Sequence, residues 1–282
     1  MTAPVDTDGC VVCGEVGEAA QALDGLLVRC RSCSFTWTAA ELAPPEELYG
    51  DSYFLGDGYD DYYQPRARRF EARLRLRWLR SSGPAASLLE VGSAGGFFVR
   101  AALAAGIAAA GVELSEAAVA YARDRLHVEV QQGRFEGAVL GRQFDVVCAF
   151  HVLEHVADPT EFLRSCRDAL VPGGRLALEV PNIESAAAGR LGAAWPHIQP
   201  QYHKWHFTPS SLPRLVAAAG FEIVKQDTVF SRFYWRPVGR VLHARELLVA
   251  DWVASGSPSV THPTKGDALR LIARLPGGEG ER

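Results

Sequence analysis

The stretch Leu88-Leu89-Glu90-Val91-Gly92-Ser93-Ala94-Gly95-Gly96-Phe97 constrains this chain more than any other. An apolar run ends in a glycine-rich loop, and the loop leads straight into residues with helical spacing. That order brings backbone N–H groups and a helix N-terminus to where a ligand can approach closely. Around it, strand-like and helix-like stretches alternate. Strands are expected at Ala85–Val91, Ala108–Glu113, His127–Gln131, Phe144–Phe150, Arg175–Val180 and Phe221–Val229. Helices are expected at Phe97–Ala105, from an N-cap at Ser115 to Leu126, from Asp158-Pro159 to near Leu170, and from Thr208-Pro209 to Ala219. Such alternation implies an α/β fold with a doubly wound, mostly parallel sheet.

The loop also discriminates between ligands. A dinucleotide fingerprint needs a small residue where Phe97 stands, which disfavours NAD. The spacing instead resembles the E/D-x-G-x-G-x-G loop of class I S-adenosylmethionine (SAM) dependent methyltransferases, with Ala94 at the middle glycine. Phe144-Asp145-Val146-Val147, His151-Val152-Leu153-Glu154-His155-Val156 and Leu170-Val171-Pro172-Gly173-Gly174 are similar to later motifs of the small-molecule members. The resemblance covers 84–229 and implies a Rossmann-like sheet. It also implies that Glu90, Gly92, Ala94 and Gly96 face the amino acid end of SAM, Gly92 leaving room for it. Glu113, seventeen residues after Gly96, would hold the ribose hydroxyls, Leu114, Arg134 and Phe135 would border the adenine, and Phe150 would line the same pocket.

Cys10, Cys13, Cys30 and Cys33 form two C-x2-C pairs separated by sixteen residues, a spacing suited to a tetrahedral zinc site. The competing readings are two disulfides or a redox pair, yet no thioredoxin-like pattern surrounds either pair. Four thiolates leave no position for water, so the expected zinc is structural. Cys148 and Cys166 lie in apolar contexts and are expected to pack. Met1–Gly9 lacks a basic, apolar leader, and the longest apolar stretch, Ala101–Val112, is too short to span a bilayer. A cytoplasmic protein without a membrane partner is therefore expected.

Four regions result: a zinc ribbon (1–45), a Tyr-rich lid with an Arg-rich helix (46–83), the SAM-binding core (84–235), and an extension (236–282) with a last strand at Ala268–Ala273. The Tyr-rich part, Tyr49–Tyr63, is either a lid over the substrate or a packed loop. Gln64–Arg80 carries seven arginines and an apolar stripe of Phe70, Leu74 and Trp78. Its arginines form either a solvated face or a contact for phosphate. A net charge of −4 counts against a surface devoted to nucleic acid.

Methyl transfer is an in-line displacement, and a hydroxyl acceptor needs a base as it attacks. His206 and His203, then His155, are the candidates, with His151 also in reach. The first two lie in a loop rich in His and aromatics after the fifth strand, where a parallel sheet binds ligands. His151 to His155 also spells H-x-x-E-H, a zinc peptidase signature only on a helix. A divalent-metal role for Glu154 and His155, as proposed for relatives that methylate catechol-like quinone precursors, is the other reading. The expected function is methylation of a small-molecule acceptor, at a hydroxyl of a sugar or natural-product intermediate. The alternatives are an RNA methyltransferase gripping phosphate with ribbon and arginines, and a non-catalytic SAM-binding scaffold. Oligomeric state is left open.

Overall fold

The computed structural model describes residues 9–15, 19–40, 42, 65–137, 141–230, 261–262 and 264–277. The Tyr-rich segment and most of the C-terminal extension lie outside them.

The main sheet starts with β4 (Ser87–Val91), whose glycine loop leads into α2 (Phe97–Ala104). Next come β5 (Ala108–Glu113), α3 (Glu116–Tyr121) with a π turn over Ala122–Leu126, and β6 (Val130–Gln132). Then follow β7 (Phe144–Phe150), α4 (Pro159–Asp168), β8 (Leu170–Pro181) and α5 (Ala186–Leu191). After a two-residue strand, β9 (Trp205–His206), come α6 (Ser211–Ala218), β10 (Glu222–Val229), β11 (Thr261–His262) and β12 (Ala268–Arg274). Caps begin helices where expected: Ser115 accepts from Ala118 N–H, and Asp158 accepts from Thr160 and Glu161 N–H, satisfying donors that have no intrahelical partner.

The strand order is β11-β10-β12-β8-β7-β4-β5-β6. β6, β5, β4, β7 and β8 are parallel, and β12 runs antiparallel between β8 and β10. The chain steps outward from β4 through β5 in one direction and through β7 in the other, so the switch point lies between β4 and β7. Ligands of such sheets bind beyond the carboxyl ends of the strands at that point.

Successive strand residues face opposite sides. Leu88, Val146 and Cys148 meet Leu76 and Leu79 of an N-terminal helix, α1 (Pro65–Arg80), together with Phe98 and Ala102 of α2. Leu89, Val147, Leu176 and Leu178 meet Phe162 and Leu163 of α4 and Leu212 and Leu215 of α6 on the other face. Each such side chain contributes about 1.5–3 kcal/mol of burial. Both faces are thus covered, leaving the strand ends for the site. Cys148 and Cys166 are fully buried, in keeping with packing.

A second sheet consists of β1 (Ala19–Ala22), β2 (Leu27–Cys30) and β3 (Thr36–Thr38), all antiparallel, with Cys30 at the end of β2 and Cys10, Cys13 and Cys33 outside its strands. Its fourth strand is β9, which pairs with β3. Cys10, Cys30, Cys33 and Phe35 share one apolar cluster with Trp205 and Phe207. Among the described residues, no helix is long and apolar enough to cross a membrane.

Candidate active site

The first half of the cleft lies over β4 and β5. Gly92 and Gly96 take positive φ values of +66° and +77°, which only glycine adopts without strain. A Cβ on Gly96 would lie 2.6 Å from Val128, and one on Gly92 would collide with Val152 in the turn after β7. Gly92 therefore makes room for Val152 of its own fold. Ala94 also sits at positive φ, +46°, where the middle glycine of the motif would stand. Its N–H donates to Glu113 Oε2 at 2.8 Å, and Ser115 N–H donates to Glu113 Oε1 at 3.0 Å. Each carboxylate oxygen accepts two hydrogen bonds, so capacity for hydroxyls remains. Burial raises the pKa of Glu113 against these donors.

Glu90 is buried at the end of β4, and its Oε2 has no hydrogen-bond partner among the described residues. Burial pushes its carboxyl up to about 8, against the pull of Arg75. A cationic amino group is the kind of ligand such an oxygen accepts. Leu114 is half-buried beside Glu113, and Phe150 closes the wall, edge-on to Phe98 and under the Arg75 guanidinium at 4.6 Å. Phe135 is buried against Phe162, whereas Arg134 is exposed near Glu136.

The second half lies over β7 and β8. His151 stands at positive φ, +59°, directly after β7. Its Nδ1 is 3.2 Å from Glu154 and its Nε2 is 3.3 Å from Glu179, so each ring nitrogen faces a carboxylate. Burial alone would lower its pKa, but the hydrogen bonds of both carboxylates outweigh burial and raise it to about 9. His151 is thus an imidazolium, the wrong form for a base. Glu179 in turn takes Arg75 of α1 at 2.5 Å and Arg270 of β12 at 2.6 Å. Those cations overcome its burial and hold it well below the carboxylate range. The arginine helix therefore turns Arg75 onto Glu179 and Arg68 onto Glu71 while Arg66, Arg69, Arg73, Arg77 and Arg80 stay exposed. Its buried residues are Ala72, Leu76, Trp78 and Leu79, with Phe70 and Leu74 half-buried, a rotation that the expected stripe of Phe70, Leu74 and Trp78 missed.

Residues 151–155 form a turn rather than a helix, so H-x-x-E-H cannot act as in a zinc peptidase. Instead Glu154 accepts Lys204 and Trp205 N–H on its backbone carbonyl, which docks the histidine loop onto this turn. His155 Nδ1 is 3.1 Å from Tyr202 O, and His203 Nδ1 is 2.8 Å from His197 O. Carbonyls only accept, so both rings carry their proton on Nδ1 and present a lone pair at Nε2. The rings meet edge-on at 4.6 Å. Ligand atoms of Glu154, His155 and His203 lie within 4.8 Å of one another, and Glu154 Oε2 is buried without a hydrogen bond among the described residues. Burial lowers the pKa of His155 and of His203, and brings His206 down to about 4. All three are neutral at pH 7.

None of the six cysteines is in a disulfide. Cys10 and Cys33 sulfurs are 3.5 Å apart, Cys13 and Cys30 sulfurs 3.6 Å, and all four lie within 4.8 Å. A tetrahedron with metal–sulfur bonds of about 2.3 Å has edges of about 3.8 Å, close to these spacings. Burial pushes the Cys10 and Cys33 thiols up, so a cation is what would keep the set ionised.

A doubly wound sheet with a glycine loop and a strand-end carboxylate at its switch point defines a Rossmann-like α/β protein of the class I methyltransferase type. A family model described as a methyltransferase domain matches residues 59–226, and the chain belongs to that family as a SAM-dependent methyltransferase. The ubiquinone biosynthesis O-methyltransferase of Thiobacillus denitrificans is 31% identical over 165 residues, spanning 53% of this chain and 71% of that protein. A SAM-dependent methyltransferase from Thermotoga maritima has a similar fold, with TM-score 0.54 and 22% identity over 73% of this chain and 90% of that one. Phosphoethanolamine N-methyltransferase 2 of Haemonchus contortus, solved with SAM, gives TM-score 0.51 and 18% identity over 72% of this chain and 52% of its own.

Proposed function

We propose that this enzyme is an O-methyltransferase that acts on a hydroxyl of a small molecule, a sugar or natural-product intermediate. The observation that carries this reading is the pair of neutral rings, His155 and His203, whose Nδ1 protons are held by backbone carbonyls so that Nε2 carries the lone pair. Such a ring takes a proton from a hydroxyl as it attacks. The name of the Thiobacillus relative supports oxygen as the attacked atom. When bound, SAM supplies an activated methyl group. Glu113 holds the ribose, Glu90 and the loop Gly92–Gly96 hold the amino acid end, and Leu114, Phe150, Phe135 and the stem of Arg134 border the base. His203 and His206, with His155 next, serve the acceptor.

A second reading rests on the Glu154, His155 and His203 cluster. A divalent cation there would acidify the acceptor hydroxyl in place of a base. The four cysteines hold one structural zinc in either case, because their spacing fits and no position is left for water. Cytoplasmic location and the four-region organisation are part of this proposal.

The test offers SAM with sugar nucleotides, catechols, amines and RNA, after elemental analysis of the reduced, natively purified protein. The expected result is one zinc per chain and methylated oxygen on a small hydroxyl compound, without added cation. Methylation confined to amines, carbon or RNA would overturn the reading, and turnover that appears only with magnesium or manganese would select the cation mechanism.

A further inference from the structure

The ribbon meets the histidine loop along one strand, β3. β3 pairs with β9, with Thr36 opposite His206 and Trp37 opposite Trp205. Thr38 then closes the ladder by three contacts. Its N–H donates to Lys204 O at 2.9 Å, its hydroxyl donates to His203 O at 2.5 Å, and the same oxygen lies 3.1 Å from His206 Nε2. A hydroxyl has one hydrogen and two lone pairs. The carbonyl of His203 can only accept, so the hydrogen is committed there, and Thr38 Oγ1 meets His206 Nε2 as an acceptor. Nε2 therefore carries the ring proton, and the lone pair falls on Nδ1. Thr38 and His206 are 1% and 3% exposed, so water does not compete for these bonds.

The strand that carries His206 is also clamped from both sides. Phe35 of the ribbon stacks on Trp205 at 5.9 Å and leans on Phe207 at 5.6 Å. The Trp205 indole donates to Val156 O at 2.8 Å, on the turn that follows β7. Packing thus sets where β9 lies, while among the described residues the Thr38 hydroxyl is what selects which nitrogen of His206 is protonated.

We propose that Thr38 is a positioning residue for methyl transfer: it fixes His206 as the Nε2–H tautomer and anchors the backbone of His203, which makes the ribbon a working part of the acceptor site. This rests on reading the histidine loop as the acceptor side of the cleft. Thr38 touches neither substrate in this account. Its effect passes through the ring it orients, as outer partners act on the histidines they hold.

The test uses the full chain with 15N-labelled histidine, in wild type, Thr38→Val and Thr38→Ser. Long-range proton–nitrogen spectra read the tautomer, calorimetry reads SAM affinity, and steady-state rates use the hydroxyl compound that yields most product in the acceptor panel. Wild type and Thr38→Ser should show His206 protonated on Nε2, and Thr38→Val should show both tautomers. In Thr38→Val, kcat should fall about 10- to 100-fold, the usual scale for losing such a partner, with SAM affinity unchanged and the serine variant restoring most of the rate. Wild-type His206 protonated on Nδ1 overturns the proposal before any variant is made. So does a Thr38→Val protein that shifts tautomer yet keeps its kcat. If His206→Ala loses rate and Thr38→Val does not, Thr38 has no positioning role while the acceptor-side reading stands. If neither variant, nor His203→Ala, loses rate, that reading is what has failed.

Discussion

Over β4 and β5 the cleft consists of backbone turns and two carboxylates, whereas over β7 and β8 it consists of imidazoles held in place by another sheet. The first half draws Gly92, Ala94, Gly96 and Glu113 from one β-α-β unit, with Ala94 N–H donating straight to Glu113. The second draws His151 to His155 from one turn, His203 and His206 from a loop after β8, and Thr38 from the ribbon, 168 residues from His206. The half over β4 and β5, which we propose meets the cofactor, is made locally. The half over β7 and β8, which we propose meets the acceptor, is assembled from distant pieces, and Glu179 lies beneath it with cations from α1 and β12.

The sharpest way to break this comparison is to remove the shared floor. Glu179→Ala leaves Arg75, Arg270 and the His151 imidazolium without their buried acid, and unfolding free energy should fall by about 3–5 kcal/mol in a denaturant titration. A loss under about 1 kcal/mol would mean that those cations find other partners and that Glu179 does not tie the elements together. Next in size is Glu113→Ala, which should weaken SAM by about 2–3 kcal/mol in calorimetry while leaving kcat at saturating SAM close to wild type. A matching loss in acceptor KM would blur the division between the halves.

A further effect is in pH. His151 is raised to about 9 by Glu154 and Glu179, so the folded protein binds a proton that the unfolded chain releases near 6.5. Its contribution is complete below about pH 6.5 and is lost as pH rises through about 9. Glu90, raised to about 8 by burial, slopes the same way, starting from its lower unfolded value. Denaturation of wild type and His151→Asn across pH 6 to 9 should therefore show a shallower decline in the variant. Equal slopes would return His151 to the list of bases.

How legible each half was in the sequence follows from the same difference. The ends of β5 and β7, the Ser115 and Asp158 caps, and the meeting of the glycine loop with Glu113 follow from local patterns, because the residues that decide them are neighbours. The third strand was expected at His127–Gln131 but begins at Val130, since the π turn to Leu126 and the positive φ of His127 take up the residues before it. β12 lies between β8 and β10 although it comes last, and such long-range pairing leaves no periodic mark. The inward turn of Arg75 was hidden among seven arginines because only the distant Glu179 singles it out. Thr38 carries no local signal at all, being an ordinary strand residue until His206 is folded against it. The cysteine spacing was legible, yet it gave no sign that the ribbon would share a strand with the histidine loop.

The division of labour is tested most directly by titrating SAM into His206→Ala and His203→Ala beside wild type, with turnover measured on the same samples. The account predicts SAM affinity within about twofold of wild type, the tolerance for independent sites, together with a fall in turnover of about 100- to 10,000-fold. Equal losses in SAM affinity and rate, or wild-type turnover in both variants, would contradict it.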